Sequence, residues 1–227
     1  MLLEKIQERT VWFMSTKVIG FFGQESYDII HYTGKALAHV GCKVLAVDAS
    51  KDLSLAYTFP SHVMQNGKIL EYNSIDIARA YELEPSVIKS YDYVLMYFGW
   101  DYTNPMIKLC EEVFCFTDCQ IHNVQRLKRL DLESSQCRFL VLRNFVTGRF
   151  TELIMNELKN LNFKDSNVLT IACNGIDELC KLQVQYDSNF KFQGISNDVV
   201  KLIGFMLETE MDPKEFKKIL KQIQKGR

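Results

Sequence analysis

Short runs of consecutive apolar residues alternate with longer stretches of helical spacing along nearly the whole chain. The runs at 17–22 (KVIGFF), 43–48 (KVLAVD), 92–98 (DYVLMYF), 112–117 (EVFCFT), 138–144 (RFLVLRN) and 167–172 (NVLTIA) predict strands. A shorter run at 68–71 (KILE) predicts another. They are rich in Val, Ile, Leu and Phe without clean two-residue alternation, the pattern of strands buried on both faces of a parallel sheet. Between them, apolar residues recur three and four apart, as in Ile121, Val124, Leu127 and Leu130. This spacing predicts helices at 26–40, 76–82, 104–111, 121–133, 150–161 and 175–182.

Alternating strands and helices imply right-handed crossovers and a three-layer, doubly wound α/β domain around a mostly parallel sheet of about seven strands. The tail then turns helical, at 196–209 and 212–224, on either side of Met211-Asp212-Pro213. Asp212 suits an N-cap, with Pro213 at the first helical position and Glu215 at the third. No repeat, low-complexity segment or Gly/Ser linker marks a second domain. The expected division is an N-terminal extension over 1–13, the α/β domain over 14–210 and a basic amphipathic helix over 211–227.

Composition narrows the function classes. A formal charge of −1 gives no global basic field, which argues against a nucleic-acid partner. No apolar stretch reaches the roughly 18–20 residues of a membrane span, and the charged N-terminus lacks the apolar core of a signal peptide. The seven cysteines are scattered without zinc spacing, so reduced thiols in a cytoplasmic protein and no metal site are expected. The four histidines pair with no candidate nucleophile, leaving Ser-His-Asp or Cys-His catalysis unsupported.

The first strand, turn, helix and second strand, "VIGFFGQESYDIIHYTGKALAHVGCKVLAVDAS" at 18–50, resemble the opening of the MinD/ParA family of deviant-Walker P-loop ATPases. "SYDYVLMYFGW" (90–100), "EEVFCFTDCQIHNVQRLKRL" (111–130) and "FLVLRNFVTGRFTELIMNEL" (139–158) are similar to later strand–helix segments of the same family. The resemblance spans nearly the whole chain and implies a P-loop NTPase-like fold. It places the phosphate loop on Gly20–Asp28, with Gly20 and Gly23 as its surviving glycines. The departures fall on the chemistry. Where the family has its signature lysine, its P-loop lysine and its magnesium hydroxyl, this chain has Phe21, Ser26 and Tyr27. The second carboxylate after Asp48 is replaced by Ser50, and the magnesium-supporting acid of the later strand by Tyr97. Binding a magnesium triphosphate needs backbone donors at a helix N-terminus and cationic neutralisation. Glu25 adds a negative charge to this turn instead, so ATP and magnesium are disfavoured as cofactors and no catalytic residue is expected. Lys35 and Arg143 are the cations near enough to aid an anion.

The resemblance implies a non-hydrolysing pseudo-ATPase acting as a scaffold or localisation adaptor, through homodimerisation and a protein partner. Its atypical turn is similar to that of the TadZ/CpaE branch. Phe21, Tyr27, Tyr97 and Trp100 are candidate contact residues, although Phe21 equally suits a filled cavity in the core. Two alternatives stand beside this reading. One is a divergent ATPase that draws a cation from elsewhere. The other is a module peripheral to the inner face of the membrane, using the stripe Phe216, Ile219, Leu220 and Ile223 and its flanking lysines. The same stripe also suits packing on the domain itself or on a protein partner.

Overall fold

A computed structural model describes residues 16–59, 69–80, 83–130, 137–159, 163, 167–187, 192, 194–208, 218–219 and 221. In chain order the strands are β1 (Lys17–Gly23), β2 (Val44–Asp48), β3 (Leu70–Tyr72), β4 (Ile75–Arg79), β5 (Tyr93–Gly99), β6 (Glu112–Thr117), β7 (Cys137–Phe145) and β8 (Val168–Ala172). The helices are α1 (Tyr27–His39), α2 (Pro85–Ile88), α3 (Ile121–Leu127), α4 (Thr151–Lys159), α5 (Gly175–Tyr186) and α6 (Asn197–Glu208). The strands form one eight-stranded sheet in the order β3-β4-β2-β5-β1-β6-β7-β8, parallel except for the β3–β4 hairpin.

Alternate residues of the central strands feed two cores. Ile19 and Phe21 of β1 join α1, α5 and α6 on one face, while Val18 and Phe22 join α3 and α4 on the other. Burial on both sides explains the strands' continuous apolar runs. Ile219 of the tail packs against the core formed with α1 and α6. Phe216, Leu220, Ile223 and the extension 1–13 lie outside the described residues.

The main correction concerns 76–82, expected to be helical. Its described part is strand β4, antiparallel to β3 with Leu70 opposite Ile77 and Tyr72 opposite Ile75. Asn73 and Ser74 both take positive φ, 53° and 67°, as a two-residue hairpin turn of the inverted type requires. Ile75 and Ile77 point into the core between half-buried Asp76 and the strand's end, so the short segment has a two-residue period. The helix expected at 104–111 is a 3₁₀ turn over Pro105–Leu109, opened by Asn104, whose side chain accepts from the Met106 N–H. The helix expected from 121 ends at Leu127, and the one expected over 175–182 continues to Tyr186.

Candidate functional site

In the family that the chain resembles, a phosphate loop separates the first strand from its helix. Here β1 continues into that segment as far as Gly23. Phe21 pairs with Tyr97 of β5 and Phe114 of β6, Phe22 with Gly99 and Cys115, and Gly23 with Phe116. The Gln24 N–H then donates to the Phe116 carbonyl oxygen at 2.8 Å. Only Gln24, Glu25 and Ser26 are left to connect the strand to α1. Backbone groups committed to the sheet ladder on both sides are not available to cradle an anion.

The two glycines of the segment have packing reasons. Gly23 adopts φ +100°, and a Cβ there would lie 2.2 Å from the Phe116 carbonyl oxygen. A Cβ on Gly20 would lie 2.9 Å from Cys110 Sγ and 3.2 Å from the Phe98 ring. Both positions are held small by the sheet and its neighbours.

Charged side chains of this chain fill the start of α1. Arg143, near the end of β7, donates from Nη1 to Asp28 Oδ1 at 2.6 Å and from Nη2 to Oδ2 at 2.8 Å. It also donates to the Glu25 carbonyl oxygen at 3.1 Å. Arg143 is 4% exposed and Asp28 1%, so this bidentate pair is cut off from water. Burial works to lower the Arg143 pKa, but the Asp28 charge and hydrogen bonds, with Glu178 and Tyr27, raise it overall. Arg143 is therefore a permanent cation whose charge is matched from within.

Helix α5 lies across this same edge of the sheet. Its Glu178 accepts from Asn144 Nδ2 of β7 at 3.4 Å, and its Lys181 Nζ meets Glu25 Oε2 at 2.7 Å. Its Gln185 Nε2 donates to the Tyr27 hydroxyl at 3.1 Å. Tyr27 lies buried beneath it, and that burial, with Glu25 and Asp28, raises its phenol pKa. Ser26, the N-cap, is fully buried, makes no capping bond, and its Oγ has no hydrogen-bond partner among the described residues.

The remaining sequence-predicted positions serve the next loop. Asp48 Oδ1 accepts from the Ser50 N–H at 2.9 Å and the Ser50 hydroxyl at 2.6 Å, and Oδ2 accepts from the Ala56 N–H at 2.6 Å. Burial raises its pKa, opposed by these hydrogen bonds. The carboxylate thus closes the loop from Ala49 to Ala56 on itself, with both oxygens engaged. Tyr97 is buried between β1 and β2, and burial also raises its pKa.

These placements correct part of the expected contact set. Phe21 is wholly buried and stacks with Phe114 and Phe116 at 6.2 and 6.0 Å, so the cavity-filling reading holds for it. Tyr97 and Tyr27 are buried too, with Tyr97 in the wall of the cleft beside the turn. Trp100 is half-buried, with its ring edge-on to Phe22 at 6.0 Å and the Arg126 guanidinium 5.4 Å from its centroid. It borders an open cleft of about 690 Å³ beside the turn, lined also by Lys51, Asp101, Tyr102, His122 and Arg126. Lys51 pairs there with Asp101 at 2.9 Å.

Sequence reasoning missed three features. Asp28 and Arg143 lie 115 positions apart with no local pattern to link them. Lys181 carries no sequence signal beyond its place in a helical stretch. The third is the outer face of α5, where Ile176, Leu179, Leu182 and Tyr186 are more than half exposed while Cys180 and Val184 are buried. A helix apolar on two faces was the available signal. Among the described residues, no group of three or more His, Cys, Asp or Glu could hold a metal, and no helix is long and apolar enough to cross a membrane.

No protein-family model and no curated protein matches the chain. Solved structures do. The chain is similar to a ParA family ATPase from Chlorobium tepidum TLS, with 16% identity and a TM-score of 0.54 over 92% of this chain and 98% of that one. It is similar to the MinD cell division protein of Aquifex aeolicus, with 14% identity and a TM-score of 0.57 over 87% and 99%. An ATP complex of Cyanothece McdA(D38A) follows at 11% identity and a TM-score of 0.54, over 91% and 96%. At such identities the likeness speaks for architecture alone, and in architecture this chain is a MinD/ParA-type α/β domain.

Proposed function

We propose that the chain is a non-hydrolysing MinD/ParA-like scaffold or localisation adaptor that works as a homodimer with a protein partner, in the bacterial cytoplasm. The observation that carries this reading is the pairing of Phe21 and Phe22 on both sides and of Gly23 with β6, which makes the first part of the phosphate-loop segment strand. The commitment of Arg143 to Asp28 and of Asp48 to Ser50 and Ala56 supports it. Phosphoryl transfer depends on positioned charge, and these charges already have partners. One structure similar to this chain, with a TM-score of 0.58, is a MinC:MinD complex, which supports a protein partner. The kind of process is spatial organisation, as in the TadZ/CpaE branch.

With Phe21, Tyr27 and Tyr97 buried, the outer face of α5 is the surface that suits a second copy, because one apolar helix face can pair with itself about a two-fold axis. Titration calorimetry with ATP and ADP, with and without magnesium, tests the reading. No heat up to millimolar nucleotide is the expected result. Micromolar one-to-one binding would overturn it and return the divergent ATPase, a reading favoured by the cleft where Lys51 and Arg126 bring two cations to the sheet edge. Peripheral membrane attachment through the tail is the weaker reading, since Ile219 of its stripe packs on the core.

A further inference from the structure

A buried arginine at a helix N-terminus is an arrangement built for an oxyanion. The 13-residue α1 points its first N–H groups, which have no partner within the helix, towards the turn. Arg143 presents two parallel N–H donors there, the geometry that matches a carboxylate or phosphate. Ser26 adds a fully buried hydroxyl with no partner among the described residues. The anion in this arrangement is the chain's own: the carboxylate of Asp28, the second residue of α1.

We propose that the start of α1 is a self-liganded oxyanion site, in which Asp28 occupies the place of a small carboxylate or phosphate held by Arg143. Asp28 is tethered, so it forgoes the translational and rotational entropy that a free anion would lose on binding. A free anion therefore does not compete with it, and the intact protein is silent towards such ligands. Removing the carboxylate exposes the site, because the other hydrogen bond of Arg143 among the described residues goes to the Glu25 carbonyl oxygen and the guanidinium is buried. An oxyanion from solution then restores the missing charge. This rests on the reading above only in taking the turn as closed to nucleotide. Calorimetry on the intact protein tests that reading; the variants below test this one.

The experiment is thermal unfolding of the full chain carrying Asp28→Ala, in sodium formate, acetate or phosphate against sodium chloride at matched ionic strength. The expected result is a lowered Tm in chloride and a saturating rise in formate or acetate that restores most of the loss. The intact protein shows no such rise, and neither does Asp28→Ala combined with Arg143→Met, which lacks the cation. A rise no larger than in chloride, or an equal rise in the double variant, would overturn the proposal. Should Asp28→Ala fail to fold in chloride, refolding yield becomes the readout. Recovery in formate supports the site, and no recovery in any of the oxyanions sinks it.

Discussion

Two neighbouring places on one edge of the sheet handle charge in opposite ways. In the turn between β1 and α1, Arg143, Asp28, Glu25 and Lys181 are paired, and the first two are sealed from water. In the cleft beside it, Lys51 pairs with Asp101 but is 74% exposed at its side chain, and the Arg126 guanidinium lies over the Trp100 ring. The first place is closed by its own internal bonds, whereas the second remains open. The contrast teaches that adjoining parts of one sheet edge can differ in how far their charges are shielded from water. The strand runs on to Gly23, aromatic rings fill the core beneath, and an internal carboxylate matches the buried arginine.

The comparison predicts unequal costs for removing charge. Arg143→Ala leaves the Asp28 carboxylate buried without its counter-ion, and urea unfolding should show a loss of about 3–5 kcal/mol. A loss under about 1 kcal/mol would mean that water reaches the pair and that the turn is open after all. Next comes the strand that replaces the loop. Gly23→Ala forces a side chain into the left-handed region and against the Phe116 carbonyl oxygen, and should destabilise by about 1–3 kcal/mol from backbone strain, with the contact adding to it.

One turn along α1 from Asp28, His31 extends the contrast to pH. Its Nε2 lies 2.9 Å from Thr58 Oγ1, and the Thr58 hydroxyl itself donates to the Leu55 carbonyl oxygen. The imidazole therefore donates from Nε2. Burial pushes its pKa down to about 3 from 6.5, with Asp28 opposing and Lys35 reinforcing the shift. The unfolded chain takes up a proton near pH 6.5 and the folded one only near pH 3, so stability is full above pH 6.5 and falls as the pH drops towards 3. By pH 5 the loss should be about 2 kcal/mol at roughly 1.4 kcal/mol per pH unit. Urea unfolding of the intact chain and of His31→Gln across this range checks it, and parallel profiles would remove the histidine from the account.

The smallest effect belongs to the cleft. Arg126→Ala removes a partly exposed cation from the face of Trp100 and should cost under about 1 kcal/mol. A larger loss would make the cleft a structural centre like the turn.

Most of the fold was legible because burial on both faces leaves its mark within each strand. Six of the predicted runs match β1, β2, β5, β6, β7 and β8 within a residue or so at their ends. The miss at β4 has a local cause. Five residues, Ile75–Arg79, are too few to separate a helix period from a strand period, and the Asn73-Ser74 turn that decides it contains no glycine to mark it. The site was legible only as replacements. The sequence shows Phe21, Ser26 and Tyr27 where cationic and small residues would serve phosphate, but it does not show where those side chains go. Phe21 illustrates the limit, since an aromatic at a strand end suits a core and an interface equally until the neighbouring strands supply Phe114 and Phe116 to stack upon.

By itself, then, the sequence determined the alternation of strands and helices, the doubly wound sheet and the absence of lysine from the turn. Each of these is written in residues close together along the chain, where periodicity and spacing act. Only the tertiary structure decided that β1 runs on to Gly23, that Asp28 meets Arg143 across 115 positions, and that α5 crosses above them with an apolar face outward. Those outcomes depend on which strands become neighbours and which side chains lose water together, and charge pairing in a dry interior has no counterpart in local sequence pattern.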